Sequence, residues 1–362
     1  MRLIVLGPLP PPHHGVTVST TLVLASPLLR QRFLVSHVDT SDHRELPNIT
    51  RWDFRNVALG LGAAARLLGS LTSPPGIVYL PLSQSAPGFL RDSIFVHIAA
   101  LRRWKVAVHL RGSDFRGFYE GSPAWLKSWI RLTLGRVTSV AVMGTSLRWV
   151  VDGLVPAERI AVVPNGTPEP DAYGVPRDEG TVLFLSNLMR RKGVAEAVEA
   201  ALIVLRRHPS ARFIFVGEWE DQQLSRELRQ RVTHAGDRIR FLQPVTARAK
   251  DRLLASSSLL LFPPVEPEGH PRVVLEAMAS GLPIVATRRG AVVETVTDGE
   301  SGFLVSEPIP AELAERVLRL LNDEDLRLRM GAAGRQRYLA RFTQAAADRQ
   351  LADWLWDVAS SP

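Results

Sequence analysis

Cysteine is absent from the 362-residue chain. Its absence excludes a disulfide framework, a thiolate metal site and a cysteine nucleophile. Long apolar runs are also missing, because residues 3–6 are too few for a signal-peptide core and Arg66 interrupts the apolar segment 57–68. We therefore expect a cytoplasmic protein that does not cross a membrane. Peripheral binding to the inner membrane face remains a further hypothesis.

Acidic residues are scarce in the first half only. Residues 1–176 carry 18 Lys and Arg against 11 Asp and Glu, a balance of +7, whereas residues 177–362 carry 26 against 25, or +1. A basic half favours an anionic partner, such as a phospholipid, a lipid-linked phosphate or nucleic acid. The alternative is a general preference for arginine, since only four of the 44 basic residues are lysine.

Short β-branched and apolar runs alternate with helical patterns along the whole chain. Runs without polar alternation predict parallel strands that are covered by helices on both faces. The sequence thus predicts an α/β protein with two doubly wound, Rossmann-like sheets facing a cleft. The predicted strands are residues 3–7, 33–38, 77–81, 106–110, 137–143 and 160–163 in the first half, and 182–185, 213–216, 259–262, 284–286 and 303–305 in the second.

Turn-forming residues concentrate between the halves, from Pro164 to Pro176. We therefore divide the chain into a first domain (1–165), a linker (166–178), a second domain (179–340) and a C-terminal segment (341–362) whose helix is expected to return to the first domain. Residues 313–340 have a strongly helical pattern. Ligands of such sheets bind at the carboxyl ends of the strands.

The richest chemistry follows the predicted strand that ends at Phe262. A proline- and glycine-rich loop carries Glu268, and Pro271 stands where a helix is expected to begin. The free N–H groups and the dipole of that first turn predict a diphosphate site. Glu276 lies further into the same helix, and its carboxylate is suited to accept hydrogen bonds from sugar hydroxyls.

This segment resembles the signature of glycosyltransferase family 4, a retaining family with the two-Rossmann-domain architecture called GT-B. The resemblance rests on Glu268-Gly269-His270-Pro271 and on the run from Glu276-Ala277-Met278-Ala279 to Pro283-Ile284-Val285-Ala286. It implies a hexosyl transfer from a nucleotide-diphosphate sugar with retention, in which the leaving phosphate accepts the proton of the acceptor. By the resemblance Glu268 holds the donor sugar, Glu276 the ribose, and Lys192 the leaving phosphate.

Other segments extend the resemblance, with departures. Asn187 stands where the family commonly has arginine, and Arg190 or Arg191 is a candidate to supply that charge. Arg111 stands where many members have histidine, with His109 two residues earlier. The candidate catalytic residues are Glu268, Lys192, Arg111 and His109, and the candidate substrate-binding residues are Gly15, Asn187, Arg191, Gly217, Glu218, Gly269, His270, Pro271, Arg272, Val273 and Glu276.

The predicted partners are a nucleotide-sugar donor and a lipid-linked or glycan acceptor, with neither nucleic acid, metal ion nor further cofactor. Trp125 and Trp129 lie four residues apart beside basic residues, a pattern that suits either a membrane interface or inward packing. The alternatives to a transferase are a sugar-nucleotide epimerase and a catalytically silent nucleotide or carbohydrate binder. A dinucleotide dehydrogenase fits less well, because no Gly-x-Gly-x-x-Gly run follows a strand.

Overall fold

A computed structural model describes residues 1–11, 15–42, 54–71, 74–171, 177–245 and 247–361. The chain divides into two compact units. Unit 1 comprises residues 1–165 and 345–362, and unit 2 comprises residues 166–344. Each unit contains one six-stranded sheet, and every strand pair in both sheets is parallel.

The sheet of unit 1 has the strand order β2-β1-β3-β4-β5-β6. All six strands were predicted from the apolar runs, and their ends agree to within two residues. The strands are β1 (Arg2–Gly7), β2 (Leu34–Asp39), β3 (Ile77–Pro81), β4 (Lys105–Leu110), β5 (Ser139–Val142) and β6 (Ile160–Val162).

Helices cover this sheet on both sides, as expected for parallel strands that are buried on both faces. The last helix of the chain joins them, because Trp354 packs edge-on against Tyr79 and His109 and Leu355 is fully buried in the same core. The helices of unit 1 are α1 (Gly15–Ala25), α2 (Pro27–Arg32), α3 (Phe54–Ser70), α4 (Ala86–Leu101), α5 (Phe115–Gly121), α6 (Ala124–Gly135) and α14 (Gln344–Ser360).

The sheet of unit 2 has the order β12-β11-β10-β7-β8-β9, and separate hydrophobic cores lie on its two faces. The sequence predicted five of these strands and missed β9. That edge strand has only four residues and an exposed Arg240, so it lacks the continuous apolar run that identified the others. The strands are β7 (Thr181–Leu185), β8 (Arg212–Val216), β9 (Ile239–Leu242), β10 (Leu259–Phe262), β11 (Ile284–Thr287) and β12 (Gly302–Val305).

The long helical pattern near the end of unit 2 is two helices rather than one. Asp323 has an extended conformation and its carboxylate accepts a hydrogen bond of 2.8 Å from the backbone N–H of Leu326, which makes it an N-cap. The Asp323-Glu324-Asp325 sequence is therefore a helix start. The helices of unit 2 are α7 (Val194–Arg207), α8 (Gln222–Arg231), α9 (Ala247–Ser256), α10 (Arg272–Ala279), α11 (Val292–Thr295), α12 (Pro310–Asn322) and α13 (Glu324–Arg341).

Within the described ranges, no helix combines the length and the apolar character that crossing a bilayer requires.

Candidate functional site

The loop from β10 to α10 forms the centre of the candidate site in unit 2. Pro263 and Pro264 are buried, and Pro271 is the N-cap residue of α10 with an extended backbone (φ −68°, ψ 120°). The apolar residues of α10 pack into unit 2, whereas Val273 and Glu276 are only partly buried. The helix start and its carboxylate are thereby kept at the carboxyl edge of the sheet.

Lys192 and Glu268 form an ion pair across this edge. Lys192 belongs to a short turn after β7, and Gly193 follows it with a positive φ of 77°. A Cβ atom on Gly193 would overlap the carbonyl oxygen of Pro263, so glycine permits the close approach of the two segments. The Arg191 carbonyl oxygen also accepts a hydrogen bond of 3.1 Å from the N–H of Val265. The sequence named both charged residues, and the structure brings them into contact.

A second ion pair joins Lys250 of α9 to Glu276 of α10, with 2.7 Å between Nζ and Oε1. Sequence reasoning identified Glu276 but missed Lys250. Lysine scarcity was an available signal, because Lys192 and Lys250 are two of only four lysines in the chain. Each of these two lysines pairs with one of the two candidate glutamates.

The segment after β11 supports the same loop from the other side. Gly290 has a positive φ of 54°, and a Cβ atom there would overlap the carbonyl oxygen of Glu268. The Gly269 carbonyl oxygen accepts a hydrogen bond of 3.0 Å from the N–H of Ala291, and Nε of Arg289 donates to the carbonyl oxygen of Val265 over 2.9 Å. The position of Glu268 is thus set by two neighbouring loops.

His270, a candidate substrate-binding residue, has its side chain inside unit 2. Its Nε2 lies 3.0 Å from Oγ1 of Thr295, and its ring packs edge-on against Phe342. Since the Thr295 hydroxyl donates to the Ala291 carbonyl oxygen, Nε2 of His270 carries the proton. Burial, with the nearby Arg272, lowers the pKa of His270 to about 3. In this structure the ring faces the interior of unit 2, so the prediction that His270 binds substrate now rests on its backbone.

Arg272 ties the start of α10 to the beginning of unit 2. Its Nη1 donates a hydrogen bond of 2.6 Å to the carbonyl oxygen of Gly166. Its side chain is partly buried. This contact orients the first turn of α10 from within the unit.

The carboxyl ends of β7 and β8 bring Asn187, Gly217 and Glu218 together. Gly217 lies against the carbonyl oxygen of Ser186, where a Cβ atom would overlap it, and the N–H of Leu188 donates to the Glu218 carbonyl oxygen over 2.7 Å. The side chains of Asn187 and Glu218 are exposed at this edge.

Two arginines were candidates for the charge that Asn187 does not supply. Nη2 of Arg190 lies 2.6 Å from a carboxylate oxygen of Glu227, so a surface acid already compensates its charge. Arg191 is exposed, and its backbone carbonyl anchors the Glu268 loop. Arg191 is thus the better placed of the two for an incoming anion.

In unit 1, the candidate catalytic residue His109 is enclosed by its neighbours. It is fully buried at the end of β4, its Nε2 lies 3.0 Å from the Val163 carbonyl oxygen, and its Nδ1 lies 3.2 Å from the Tyr79 hydroxyl. Burial and the nearby Arg111 hold the pKa of His109 well below its usual value. The ring is thus enclosed by protein groups in this structure, and the catalytic role of His109 stays a prediction.

Arg111 lies at the carboxyl end of the same strand and is only partly buried. Nη2 donates to the Tyr79 hydroxyl and Nη1 to Oδ1 of Asn165, each over 2.8 Å. Both acceptors are neutral, so they orient the guanidinium without cancelling its charge. Sequence reasoning did not identify Tyr79 or Asn165 as partners of Arg111.

Two further expectations concern α1 and α6. Gly15 is the exposed first residue of α1, and a Cβ atom there would meet no atom within 4 Å, so close packing does not require glycine. Trp125 is 61% exposed, whereas Nε1 of Trp129 donates to Oγ of Ser93 over 2.9 Å and its ring lies against His97. Only Trp125 is available to an interface, and Trp129 packs inward.

Comparison with known proteins relates the second half of the chain to a known family. Residues 167–337 match the family model "Glycosyl transferases group 1". A phosphatidyl-myo-inositol mannosyltransferase of Mycobacterium leprae is 32% identical over 216 residues, which are 58% of this chain and 55% of that protein. An N-acetyl-alpha-D-glucosaminyl L-malate synthase of Bacillus anthracis is 30% identical over a segment that covers 51% of this chain and 48% of that protein. The chain thus spans about half the length of the curated relatives it matches.

Solved structures with low sequence identity share the fold of the whole chain. Anabaena HepE in complex with UDP superposes with a TM-score of 0.76 at 19% identity, over 99% of this chain and 100% of that one. A glycosyltransferase from Rickettsia africae superposes with a TM-score of 0.79 at 16% identity, over 100% of this chain and 99% of that one. Both parallel-sheet units thus have the fold of the GT-B glycosyltransferases, and residues 167–337 are similar to the group 1 glycosyl transferases.

Proposed function

We propose that this protein is a retaining glycosyltransferase that moves a hexose-type sugar from a nucleotide-diphosphate sugar to a lipid-linked or glycan acceptor. The observation that carries the proposal is the pair of lysine–glutamate contacts, Lys192 with Glu268 and Lys250 with Glu276, at the start of α10. These contacts place an anion site beside two carboxylates that can accept hydrogen bonds from sugar hydroxyls. A nucleotide sugar presents both kinds of group, a diphosphate for the anion site and hydroxyls for the carboxylates.

The proposed donor contacts follow from charge. The N–H groups in the first turn of a helix have no partner within the helix and attract anions, so the diphosphate is assigned to the start of α10. Lys192 adds a positive charge beside it. The carboxylate of Glu276 is assigned to the ribose hydroxyls, and that of Glu268 to the transferred sugar. Asn187, Gly217 and Glu218 border the nucleotide at the ends of β7 and β8.

The proposed reaction exchanges one bond at the anomeric carbon. The acceptor oxygen bonds to that carbon on the face from which the diphosphate departs, and the bond between the carbon and the phosphate oxygen breaks. The electron pair stays on the leaving phosphate, which takes the proton of the acceptor hydroxyl. Lys192 and the α10 N–H groups stabilise the developing negative charge, the kind of preorganised electrostatic contribution that dominates many enzymic reactions. The proposal requires no metal ion.

Two observations support a lipid-linked acceptor over a soluble one. The relative from Mycobacterium leprae is named for a phosphatidylinositol substrate, and Trp125 of α6 exposes a large aromatic surface on the more basic half of the chain. Tryptophan side chains favour the membrane–water interface. We therefore extend the proposal to peripheral binding at the cytoplasmic face of a membrane, in the assembly of a polysaccharide or glycolipid.

The test begins with thermal unfolding of the wild type and Glu276→Ala in the presence of UDP, GDP, ADP and their sugars. A ligand at 100 times its dissociation constant adds about 2.7 kcal/mol of stability. The proposal predicts that one nucleotide stabilises the wild type and that Glu276→Ala loses most of this effect. Product analysis then distinguishes the alternatives: an epimerase converts the donor without an acceptor, and a silent binder leaves it unchanged. Either result would contradict transfer.

A further inference from the structure

Unit 1 contains a cavity of about 580 Å³ at the carboxyl edge of its sheet. Its volume lies within the ~300–1,000 Å³ that small-molecule sites usually have. The ends of four adjacent strands, β2, β1, β3 and β4, form its floor, and α3 and α4 form its wall. Such a position is where doubly wound sheets bind ligands.

The wall of this cavity is apolar and continues onto the surface. Val57, Leu59 and Leu61 of α3 and Ile94 of α4 all line it, and they are between 36% and 59% exposed. An apolar rim of this kind costs solvation free energy unless something apolar covers it, and it marks a binding groove rather than ordinary surface. A soluble sugar gains little from such a wall, whereas a hydrocarbon chain gains about 25 cal/mol for each Å² that it buries.

Charge within the cavity is unevenly distributed. Among the residues that the structure describes, four charged side chains line it, and two of them, Arg91 and Asp92, bind each other over 2.8 Å. The other two are Asp42, after β2, and Arg111, after β4. Those strands are three places apart in the sheet, so at ~4.8 Å per place their ends are separated by about 14 Å. The described part of the cavity lining therefore has a cationic end at Arg111.

We propose that this cavity binds a single-chain lipid with a phosphate or diphosphate head, its chain along α3 and α4 and its head at Arg111. The inference rests on the proposed glycosyl transfer, for which it names the acceptor class. Tyr79 and Asn165 hold the guanidinium of Arg111 through neutral contacts, which leaves its charge for the anionic head. Arginine provides a permanent charge here, and its planar donors match phosphate oxygens.

The probes are farnesyl phosphate, dodecyl phosphate, farnesol and inorganic phosphate, each measured by calorimetric titration of the full chain. The test variant is Ala63→Phe, since Ala63 of α3 lines the cavity and is fully buried. Its matched control is Ala65→Phe, two residues along the same helix on an exposed position outside the cavity. Arg111→Gln removes the charge, and the nucleotide found for the donor site reports the integrity of unit 2 in every variant.

We expect a phosphate-headed lipid to bind the wild type and Ala65→Phe with equal affinity, and Ala63→Phe at least about tenfold more weakly. Farnesol should bind the wild type about 10- to 100-fold more weakly than farnesyl phosphate, because a charge-assisted hydrogen bond is lost. Arg111→Gln should abolish that difference. Comparison of the farnesyl and dodecyl probes shows whether the chain is isoprenoid or straight.

Equal lipid affinity in Ala63→Phe and the wild type would overturn the inference, as would equal affinity of the wild type for farnesol and farnesyl phosphate. If Ala63→Phe is unfolded, the Arg111→Gln comparison decides by itself. Nucleotide binding and sugar transfer to any acceptor, without lipid binding, would overturn this inference alone. Loss of nucleotide binding in the wild type would instead contradict the proposed function.

Discussion

The main chain of Gly290 lies directly against the carbonyl oxygen of Glu268, with no room for a side chain between them. Gly290→Ala should therefore displace the Glu268 loop and weaken donor binding, in addition to the ~1 kcal/mol that a positive φ costs an alanine. Gly299→Ala is the matched control, because Gly299 also has a positive φ (78°) but a Cβ atom there meets no atom within 4 Å. Unfolding should report the positive-φ cost in both variants and a further loss of stability in Gly290→Ala, and nucleotide-sugar titration should report weakened binding in Gly290→Ala only.

Lys192 should act on the chemical step. Lys192→Gln removes the positive charge next to the proposed leaving phosphate, and loss of one such preorganised group typically lowers kcat by about 10²- to 10³-fold. Arg190→Gln is the control, since Arg190 is two residues away and already paired with Glu227 on the surface. Steady-state kinetics of donor turnover would give kcat for the Lys192→Gln and Arg190→Gln enzymes. A Lys192→Gln enzyme with unchanged kcat would contradict the assigned role.

Lys250 should act on binding through Glu276. The side chains of Lys250 and Glu276 are 31% and 16% exposed. Their ion pair should therefore contribute no more than about 1 kcal/mol to the free energy of donor binding. Lys250→Gln should then raise the KM for the donor about fivefold, with a smaller effect on kcat. Arg248→Gln, at an exposed position of the same helix, should leave the KM unchanged. A larger loss of kcat than of binding would indicate that Lys250 contacts the reacting group itself.

Acid should destabilise unit 2 through His270. Burial lowers its pKa from 6.5 to about 3, so the folded state binds no proton there while the unfolded state begins to bind one below pH 6.5. Stability is thus fully present above pH 6.5 and falls as the pH drops towards 3, by up to about 1.4 kcal/mol per pH unit for one group. His270→Phe keeps a ring against Phe342 and cannot titrate.

Thermal unfolding between pH 7.5 and pH 5 would measure this effect. The loss of stability should be smaller in His270→Phe than in the wild type, with a remainder from His109, whose pKa is also lowered by burial. His234→Gln, which changes an exposed histidine that is solvated in both states, should retain the wild-type loss. An identical loss in His270→Phe would show that other groups control the acid sensitivity.

Trp125 should contribute to membrane binding if the proposed peripheral association occurs. Its indole is 61% exposed, so Trp125→Ala should lower the fraction bound to phosphatidylglycerol vesicles several-fold with little change in stability. Trp149→Ala is the control, because Trp149 is a similarly exposed tryptophan of unit 1 outside α6. Co-sedimentation with the vesicles would measure both variants. Equal binding of wild type and Trp125→Ala would argue against this contact.

The sequence by itself determined the two parallel sheets and the candidate donor loop. Buried parallel strands need continuous apolar runs, so eleven of the twelve strands in the described part of the chain were readable, and only the edge strand β9, with its exposed Arg240, was not. The run from Glu268 to Glu276 was readable because its chemistry lies within one short segment. Patterns that lie within one short segment can be recognised from the sequence without knowledge of the fold.

Only the tertiary structure decided which side chains meet across distant segments. Lys250 reaches Glu276 from 26 residues away, and Tyr79 and Asn165 orient Arg111 from strands and turns with ordinary composition. The sequence pattern gives no sign that the rings of His109 and His270, both predicted site residues, are buried by neighbouring elements. Burial and long-range pairing depend on how the elements pack, and the identity of a residue does not specify its distant neighbours.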